Sequence, residues 1–286
     1  MELFYKFQHI KYSDQKHLYF IGGKRLLSIT QFLKRIFPEF NSDFWSMYKA
    51  IQKTGIAVKP HFTKDGMSTE IIYCDGVPYS VDSLKEIYSD EIKEMLIDWK
   101  QKSNIGTLRV TYVHNQLEQH EKGLLDLIPR PCLDNVEGFN KSIELCDTLI
   151  IEYLTTNTHL KPIALEFKVG DEELGLAGTF DRLYFNEISN QLEIHDFKTD
   201  KDIKTKSKYG KVKMFDVDDC EFNKYSLQTS LYKFIIEKNT NLKLGDSYVT
   251  HFNLKEGKLE YYKCIDFTEQ IKQHSNEQYW STYIKC

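Results

Sequence analysis

Two aspartates and a lysine on consecutive predicted strands have the types and spacing that phosphate chemistry requires. Asp181 lies in LAGTFDRLYF, and Asp196 and Lys198 lie in QLEIHDFK, with the polar segment NEISN between the two strands. If the turn centres between Ile188 and Ser189, Asp181 faces Asp196 across an antiparallel pair, where Cβ atoms are about 4.5–5.5 Å apart. Carboxylates at that separation repel each other unless a divalent cation lies between them. Mg²⁺ suits this position because it takes oxygen ligands from one or two carboxylates and from substrate phosphate.

Lys198 follows Asp196 by two positions, so strand alternation places both side chains on the same face. An ammonium group beside a metal-binding carboxylate would orient or activate a water, or stabilise charge on the phosphate. A solvated charge cluster on a sheet face is the alternative interpretation. The flanking residues favour a site, because the apolar face formed by Leu192 and Ile194 continues into Asp196 and Lys198, and a buried face that ends in charges is where functional sites lie.

The composition describes the protein that carries these residues. The chain has 286 residues, of which 41% are hydrophobic and 28% charged, the balance of a globular protein with a sizeable core. Its formal net charge of −4 excludes a protein coated in basic residues for nucleic acid, so any polyanion site must be a local groove. No apolar run approaches the ~20 residues that span a membrane. The N-terminus lacks a signal-peptide pattern, which predicts a cytoplasmic protein without membrane association.

The order of predicted elements places the fold in the α/β or α+β class. The segments FYKF and HLYFIG read as short strands, and Ser28 predicts the N-cap of a helix over 29–37. Further helices are expected from Val81 to about Trp99 and from about Thr107 to Lys122. Strand alternation then covers 163–197, followed by a helix over 224–238, two more strands and a terminal helix. Helices thus precede a hairpin-rich sheet.

Four elements in this order resemble the PD-(D/E)XK nuclease superfamily. They are an acid at Glu166, G-x-x-D ending at Asp181, D-x-K-T beginning at Asp196, and Q-x-x-x-Y beginning at Gln228. The pattern is similar to that of the RecB-like exonuclease branch, which includes the mitochondrial genome maintenance exonuclease and many phage-encoded exonucleases. The resemblance covers about 155–260 and implies a restriction-endonuclease-like core, a mixed central sheet flanked by helices.

The resemblance also implies roles for individual residues. Asp181 and Asp196 would ligate Mg²⁺ or Mn²⁺ with help from the main-chain carbonyl of Phe197, and Lys198 would be the catalytic lysine. Glu166 would be an accessory acid, with a salt bridge on the strand face as its alternative role. Gln228 and Tyr232, at i and i+4 of the predicted helix, would pack beside the lysine and contact DNA. Their alternative role is hydrogen bonding at the edge of the core.

An upstream histidine extends the predicted site. The segment from Thr111 to Glu118 resembles the helical G-T-x-x-H-x-x-x-E motif of the same branch, in which the histidine joins the metal site. The match is imperfect, because Val110 stands where the family usually has glycine. His114 is therefore either a metal ligand or neighbouring base, or a hydrogen-bonded core or surface histidine. The six cysteines form no C-x-x-C pair and no cluster after Gln228, so no iron–sulfur cluster is expected.

A lysine-rich segment follows the catalytic strand. It is either a solvated loop or a track that holds DNA phosphates, since lysines near a site raise affinity through counterion release. The lysines predicted to contact DNA are Lys201, Lys204, Lys206, Lys208 and Lys211.

These observations lead to one hypothesis with two rivals. The chain is predicted to be an α/β nuclease with a strand and helix elaboration over 1–98 and a PD-(D/E)XK core over 99–286, with one continuous domain as the alternative. It would be an Mg²⁺-dependent or Mn²⁺-dependent DNA exonuclease of phage or bacterial type that acts on single strands or DNA ends. The rivals are a structure-specific endonuclease of the same superfamily and a nucleic-acid-binding module that has lost catalysis.

Overall fold

The protein is an α/β structure with a mixed central sheet flanked by helices. The computed structural model describes residues 2–13, 18–37, 40–63, 66–124, 128–133, 136–199, 202–207, 210–277 and 280–284. The chain divides into two compact units: Met1–Pro38, Leu108–Ser207 and Lys211–Cys286 form the first, and Glu39–Thr107 with Lys208–Gly210 form the second.

The central sheet belongs to the first unit. Its strands are β1 Lys11–Ser13, β2 Leu18–Ile21, β3 Lys24–Ser28, β7 Leu160–Asp171, β8 Leu176–Asn186, β9 Gln191–Lys198, β12 Leu244–Asn253 and β13 Lys258–Lys263. Their order in the sheet is β1-β2-β3-β8-β9-β12-β13, and β7 pairs with β8. The β7, β8 and β9 strands form consecutive antiparallel pairs, whereas β3 is parallel to β8 and β12 is parallel to β9.

Two helices of the first unit, α2 and α7, have features that the sequence predicted. The predicted cap is confirmed, because the Ser28 hydroxyl accepts a hydrogen bond from the Gln31 N–H at 3.1 Å at the start of α2. The α7 helix buries Leu227, Leu231 and Ile235 in the main core. The helices of this unit are α1 Glu2–Phe7, α2 Ile29–Ile36, α6 Phe139–Thr156, α7 Glu221–Asn239, α8 Thr268–Ser275 and α9 Trp280–Ile284, and a two-stranded sheet pairs β10 Lys211–Val212 with β11 Val217–Asp218.

The prediction that FYKF is a strand was wrong. This segment lies in α1, which buries Leu3 and Phe7 against the main core. Positions i and i+4 share a helix face, so the same aromatic pattern serves a short helix as well as a strand. Only packing against the sheet distinguishes the two.

The second unit combines a helical face with a three-stranded antiparallel sheet. Its own core contains Phe44, Met47, Ile51, Ile72 and Leu84. Its elements are α3 Ser42–Lys53, β4 Val58–Thr63, β5 Gly66–Cys74, β6 Val77–Ser80, α4 Val81–Ile87 and the part of α5 up to Thr107.

The α5 helix spans Ser89–Glu121 without a break, although two helices were expected there. Gly106 lies inside it. Glycine costs a helix interior only about 1 kcal/mol relative to alanine, and a continuous run of helical hydrogen bonds compensates for this cost. Without a proline, the sequence between Trp99 and Thr107 contains nothing that must end a helix.

The division of the chain differs from the predicted boundary at residue 98. Residues 2–37 belong to the unit that contains the carboxylate hairpin, because Leu27 and Ser28 of β3 pair with Leu176 and Ala177 of β8. The separate unit consists of 39–107 with 208–210. Pairing between strands so distant in sequence leaves no local pattern that would have revealed it. Within the described segments, none of the helices has the length and apolar character needed to cross a membrane.

Candidate metal centre

The site lies where β8 changes its neighbour in the sheet. One edge of β8 pairs with β3 at Leu176 and Ala177, then with β9 from Arg182 onward. The predicted register is confirmed at Phe185, which pairs with Leu192, but the ladder between these strands ends at Arg182 and His195. Asp181 therefore lies just beyond the ladder. Its Oδ2 accepts a hydrogen bond from the Phe197 N–H at 2.8 Å, which a regular ladder would have given to a carbonyl.

Three side chains of the types that can ligate a metal ion converge at this point. One donor atom from each of His114, Glu166 and Asp181 lies within 4.8 Å of the others. Nε2 of His114 is 3.6 Å from Asp181 Oδ2 and 3.3 Å from the carbonyl oxygen of Phe197, and its Nδ1 is 3.4 Å from Glu166 Oε1. The structure thus brings together four residues that the sequence proposed for the site.

The His114 ring is held in a negatively charged environment. Burial lowers the pKa of His114, but the carboxylates of Asp181 and Glu166 outweigh burial, so the pKa is raised above its ordinary value. The ring packs edge-on against Phe197, with centroids 5.9 Å apart. A histidine with two carboxylates at its nitrogens has the surroundings of a ligand that exchanges a proton for a cation.

Glu166 reaches the site because the β7 backbone is irregular there. Its φ is +45°, in the left-handed region that non-glycine residues seldom adopt. The β7–β8 register also shifts nearby, between Pro162 and Ala164. Arg182 NH1 donates to Glu166 Oε1 at 3.0 Å, so the salt bridge considered for Glu166 is present beside its place in the cluster. The two roles are compatible, since a carboxylate accepts several contacts.

Asp196 and Lys198 form an ion pair next to this cluster. Lys198 Nζ lies 2.5 Å from Asp196 Oδ2 and donates to the Phe197 carbonyl at 3.3 Å. It also lies 4.9 Å from the centroid of the Tyr225 ring on α7, a cation–π contact. Burial raises the pKa of the Asp196 carboxyl to about 6, and the repulsion of Asp181 adds to this shift while Lys198 opposes it. The predicted face-to-face pairing of Asp181 with Asp196 is thus replaced by contacts with Phe197 and Lys198.

Arg182 is the residue of this site that the sequence interpretation missed. Its side chain is 0% exposed, and its NH1 and NH2 groups donate to the carbonyls of Asp181 and His114 at 2.8 and 3.2 Å. Its Nε donates to Glu121 Oε2 at 2.5 Å. Arg182 therefore holds the backbone at Asp181 and His114, and it also holds the side chain of Glu166. The signal in the sequence was an arginine on a strand face otherwise occupied by Phe180 and Tyr184.

The Q-x-x-x-Y residues lie beside the same strand. Tyr232 is 2% exposed, and its hydroxyl donates to the Thr179 carbonyl at 2.8 Å while accepting from Gln228 Nε2 at 3.3 Å. A Cβ on Gly178 would come within 2.8 Å of the Tyr232 ring, which explains why that position requires glycine. Tyr232 thus makes the core-edge hydrogen bonds that were its alternative role, and its contact with DNA stays a prediction. Gln228 remains partly exposed.

The lysine segment is only partly described, and Lys201 and Lys208 lie outside the described residues. Lys204, Lys206 and Lys211 are exposed. Lys204 Nζ is 3.6 Å from Glu221 Oε1, and Lys211 Nζ is 3.0 Å from Asp216 Oδ1. Of the cysteines in the described segments, Cys74, Cys146, Cys220 and Cys264 are buried and Cys132 is exposed.

The sequence has no match among family models or curated proteins.

Proposed function

We propose that this protein is a metal-dependent deoxyribonuclease with a PD-(D/E)XK core that removes nucleotides from single-stranded DNA or DNA ends. The observation that carries the proposal is the convergence of His114, Glu166 and Asp181 with the Asp196–Lys198 pair on the next strand. The mixed sheet, in which β9 and β12 are parallel and joined through α7, supports the core.

The donor set fits Mg²⁺ or Mn²⁺. Carboxylate and carbonyl oxygens are the ligands of hard divalent cations such as Mg²⁺ and Mn²⁺, and they outnumber the single imidazole of His114 in this cluster. Asp181, Glu166, His114 and the Phe197 carbonyl would hold the ion, and Asp196 would be a further ligand that keeps its ion pair with Lys198. The ion would supply Lewis-acid polarisation of the phosphate and would lower the pKa of a bound water.

Lys198 is the residue that we expect to orient the attacking water and to stabilise charge during hydrolysis. Asp196 holds its ammonium at 2.5 Å, and the Tyr225 ring limits its motion on the other side. From there Lys198 would orient the attacking water and stabilise the negative charge that develops on the phosphate. Arg182 would keep Glu166 and the backbone at His114 and Asp181 in place, so that the groups need no reorganisation during the reaction.

The experiment that tests this function separates exonuclease, endonuclease and binding-only behaviour. Purified protein is incubated with labelled linear single-stranded, linear double-stranded and circular single-stranded DNA, with Mg²⁺, with Mn²⁺ or with chelator. We expect linear strands to shorten from their ends only when a divalent ion is present. Cutting of circles would identify an endonuclease. The Asp196→Asn variant sets the background of the assay. If the wild type binds DNA but cleaves it no faster than this variant, the protein is not a nuclease.

A further inference from the structure

The second unit contains a cleft of about 430 Å³ with both apolar and cationic walls. Residues of α3 line one side and residues of α5 line the other. Positions 49, 52 and 53 share one face of α3, and positions 95, 98, 99 and 102 follow the i, i+3, i+4, i+7 spacing of one face of α5. The lining includes Lys49, Lys53, Met95, Trp99 and Lys102, and one acid, Asp98.

The apolar part of the cleft is an accessible aromatic surface. Trp99 is half-buried, with Met95 buried beside it in the cleft lining. The Phe40 ring lies 5.6 Å from the Trp99 ring at an interplanar angle of 53°, and Phe40 is 66% exposed. Phe40 is thus a neighbour of Trp99 outside the cleft lining, and the Trp99 indole offers the π-face on which a planar base stacks.

The cationic part consists of Lys49, Lys53 and Lys102, of which Lys49 and Lys53 are exposed. Lys49 donates to Gln52 Oε1 at 2.9 Å. Lys102 lies 2.6 Å from Asp98 Oδ2, with the two side chains 70% and 40% exposed. Exposed pairs of this kind contribute little to stability, so a phosphate can replace the carboxylate at small cost. Three ammonium groups around an aromatic surface match the alternation of phosphates and bases along a nucleic-acid strand.

We propose that this cleft binds a segment of single-stranded DNA, with a base stacked on Trp99 and phosphates near Lys49, Lys53 and Lys102. The inference rests on the proposed function, since it identifies a second place where the DNA substrate is held. A duplex is excluded from this contact because its bases are stacked on each other and show no free face. The charge is local, as the chain as a whole carries −4.

The test measures equilibrium binding of labelled oligo(dT) in chelator, so that cleavage plays no part. We expect Trp99→Ala to bind at least about fivefold more weakly, the lower end of the loss for one stacked base, and Trp99→Phe to retain most of the affinity. The decisive comparison replaces oligo(dT) by an abasic strand of the same length. Wild type should prefer the strand with bases, and Trp99→Ala should lose that preference. Because each ratio is measured on one protein preparation, partial misfolding of a variant cancels.

The lysines have a matched control on the same helix. Lys93 is also 70% exposed and pairs with Asp90 at 2.8 Å, but it does not line the cleft. Lys102→Gln should lower the log–log salt slope of binding by about 0.7, whereas Lys93→Gln should leave it unchanged. Equal losses for the two variants, or an unchanged base preference in Trp99→Ala, would overturn the proposal. A wild-type protein that shows this binding but cleaves nothing would reject the nuclease function and leave the cleft assignment standing.

Discussion

The carboxylate of Asp181 accepts the backbone N–H of Phe197 at 2.8 Å, just beyond the last ladder pair between β8 and β9. The same oxygen lies 3.6 Å from His114 Nε2. Oδ2 of Asp181 on β8 is thus bonded to the backbone of β9 beyond the end of their ladder, and it also lies beside His114 of α5. This contact holds the Phe197 carbonyl 3.3 Å from the same histidine nitrogen, so backbone and side-chain donors are directed to one place.

Divalent cations should stabilise the folded protein through this cluster. A ligand at 100 times its dissociation constant adds about 2.7 kcal/mol when it binds only the native state. We therefore expect Mg²⁺ or Mn²⁺ to raise the melting temperature of the wild type and to leave that of Asp181→Asn unchanged. Glu187→Gln, which changes an exposed carboxylate near Lys161, serves as the control and should keep the full shift. A full shift in Asp181→Asn as well would place the metal elsewhere.

Lys198→Ala should lower turnover by a factor of about 100 or more, because proton transfer and charge stabilisation in the transition state contribute effects of that size. DNA binding should change little, since the role belongs to the transition state. Single-turnover cleavage and binding in chelator measure the two effects separately. Lys233→Ala, which removes a lysine of α7 that pairs with Asp266, is the control for general damage. If Lys198→Ala bound DNA poorly but cleaved the bound strand normally, the lysine would be a phosphate anchor.

Arg182→Met should destabilise the protein by about 3–5 kcal/mol, the usual result of removing one partner from a buried ion pair. Arg182 is 0% and Glu121 6% exposed, so the carboxylate that remains is unpaired and out of water. Burial already raises the pKa of Glu121, with Arg182 opposing the shift. Loss of Arg182 should raise this pKa further, so protonation relieves the penalty as the pH falls.

Urea unfolding at pH 7.5 and pH 5 measures this effect. The destabilisation of Arg182→Met should be smaller at pH 5, and it should be partly rescued at pH 7.5 by the double variant with Glu121→Gln. A loss of equal size at both pH values, without rescue, would mean that Arg182 acts through packing against Phe197 and not through its charge.

The exposed lysines after β9 test whether this segment holds DNA. Changing Lys204, Lys206 and Lys211 to Gln should weaken binding of single-stranded DNA and flatten its log–log salt dependence by roughly 0.7 for each phosphate that a lysine no longer neutralises. The comparison variant changes Lys161, Lys243 and Lys258, which are exposed and paired with acids elsewhere on the same unit. Identical slopes for the two triple variants would show that the segment is a solvated loop.

Local pattern in the sequence determined the hairpin and its immediate neighbours. The turn between β8 and β9 specified the register that pairs Phe185 with Leu192, because a strand period of two leaves only one face for the core. The N-cap at Ser28 and the apolar stripe of α7 could be predicted for the same reason, since each depends on residues close together in the sequence. The candidate residues Asp181, Asp196, Lys198 and His114 could be selected by type and spacing.

Tertiary structure alone decided how those residues meet. Strand spacing predicted that Asp181 faces Asp196, but the strands separate there and each carboxylate takes a different partner. The +45° φ of Glu166 and the burial of Arg182 beneath His114 follow from contacts between elements far apart in the chain. Periodicity reports which face of an element is buried, whereas the partner across that face depends on packing energies summed over the whole core. The same limit hid the association of residues 2–37 with the central sheet.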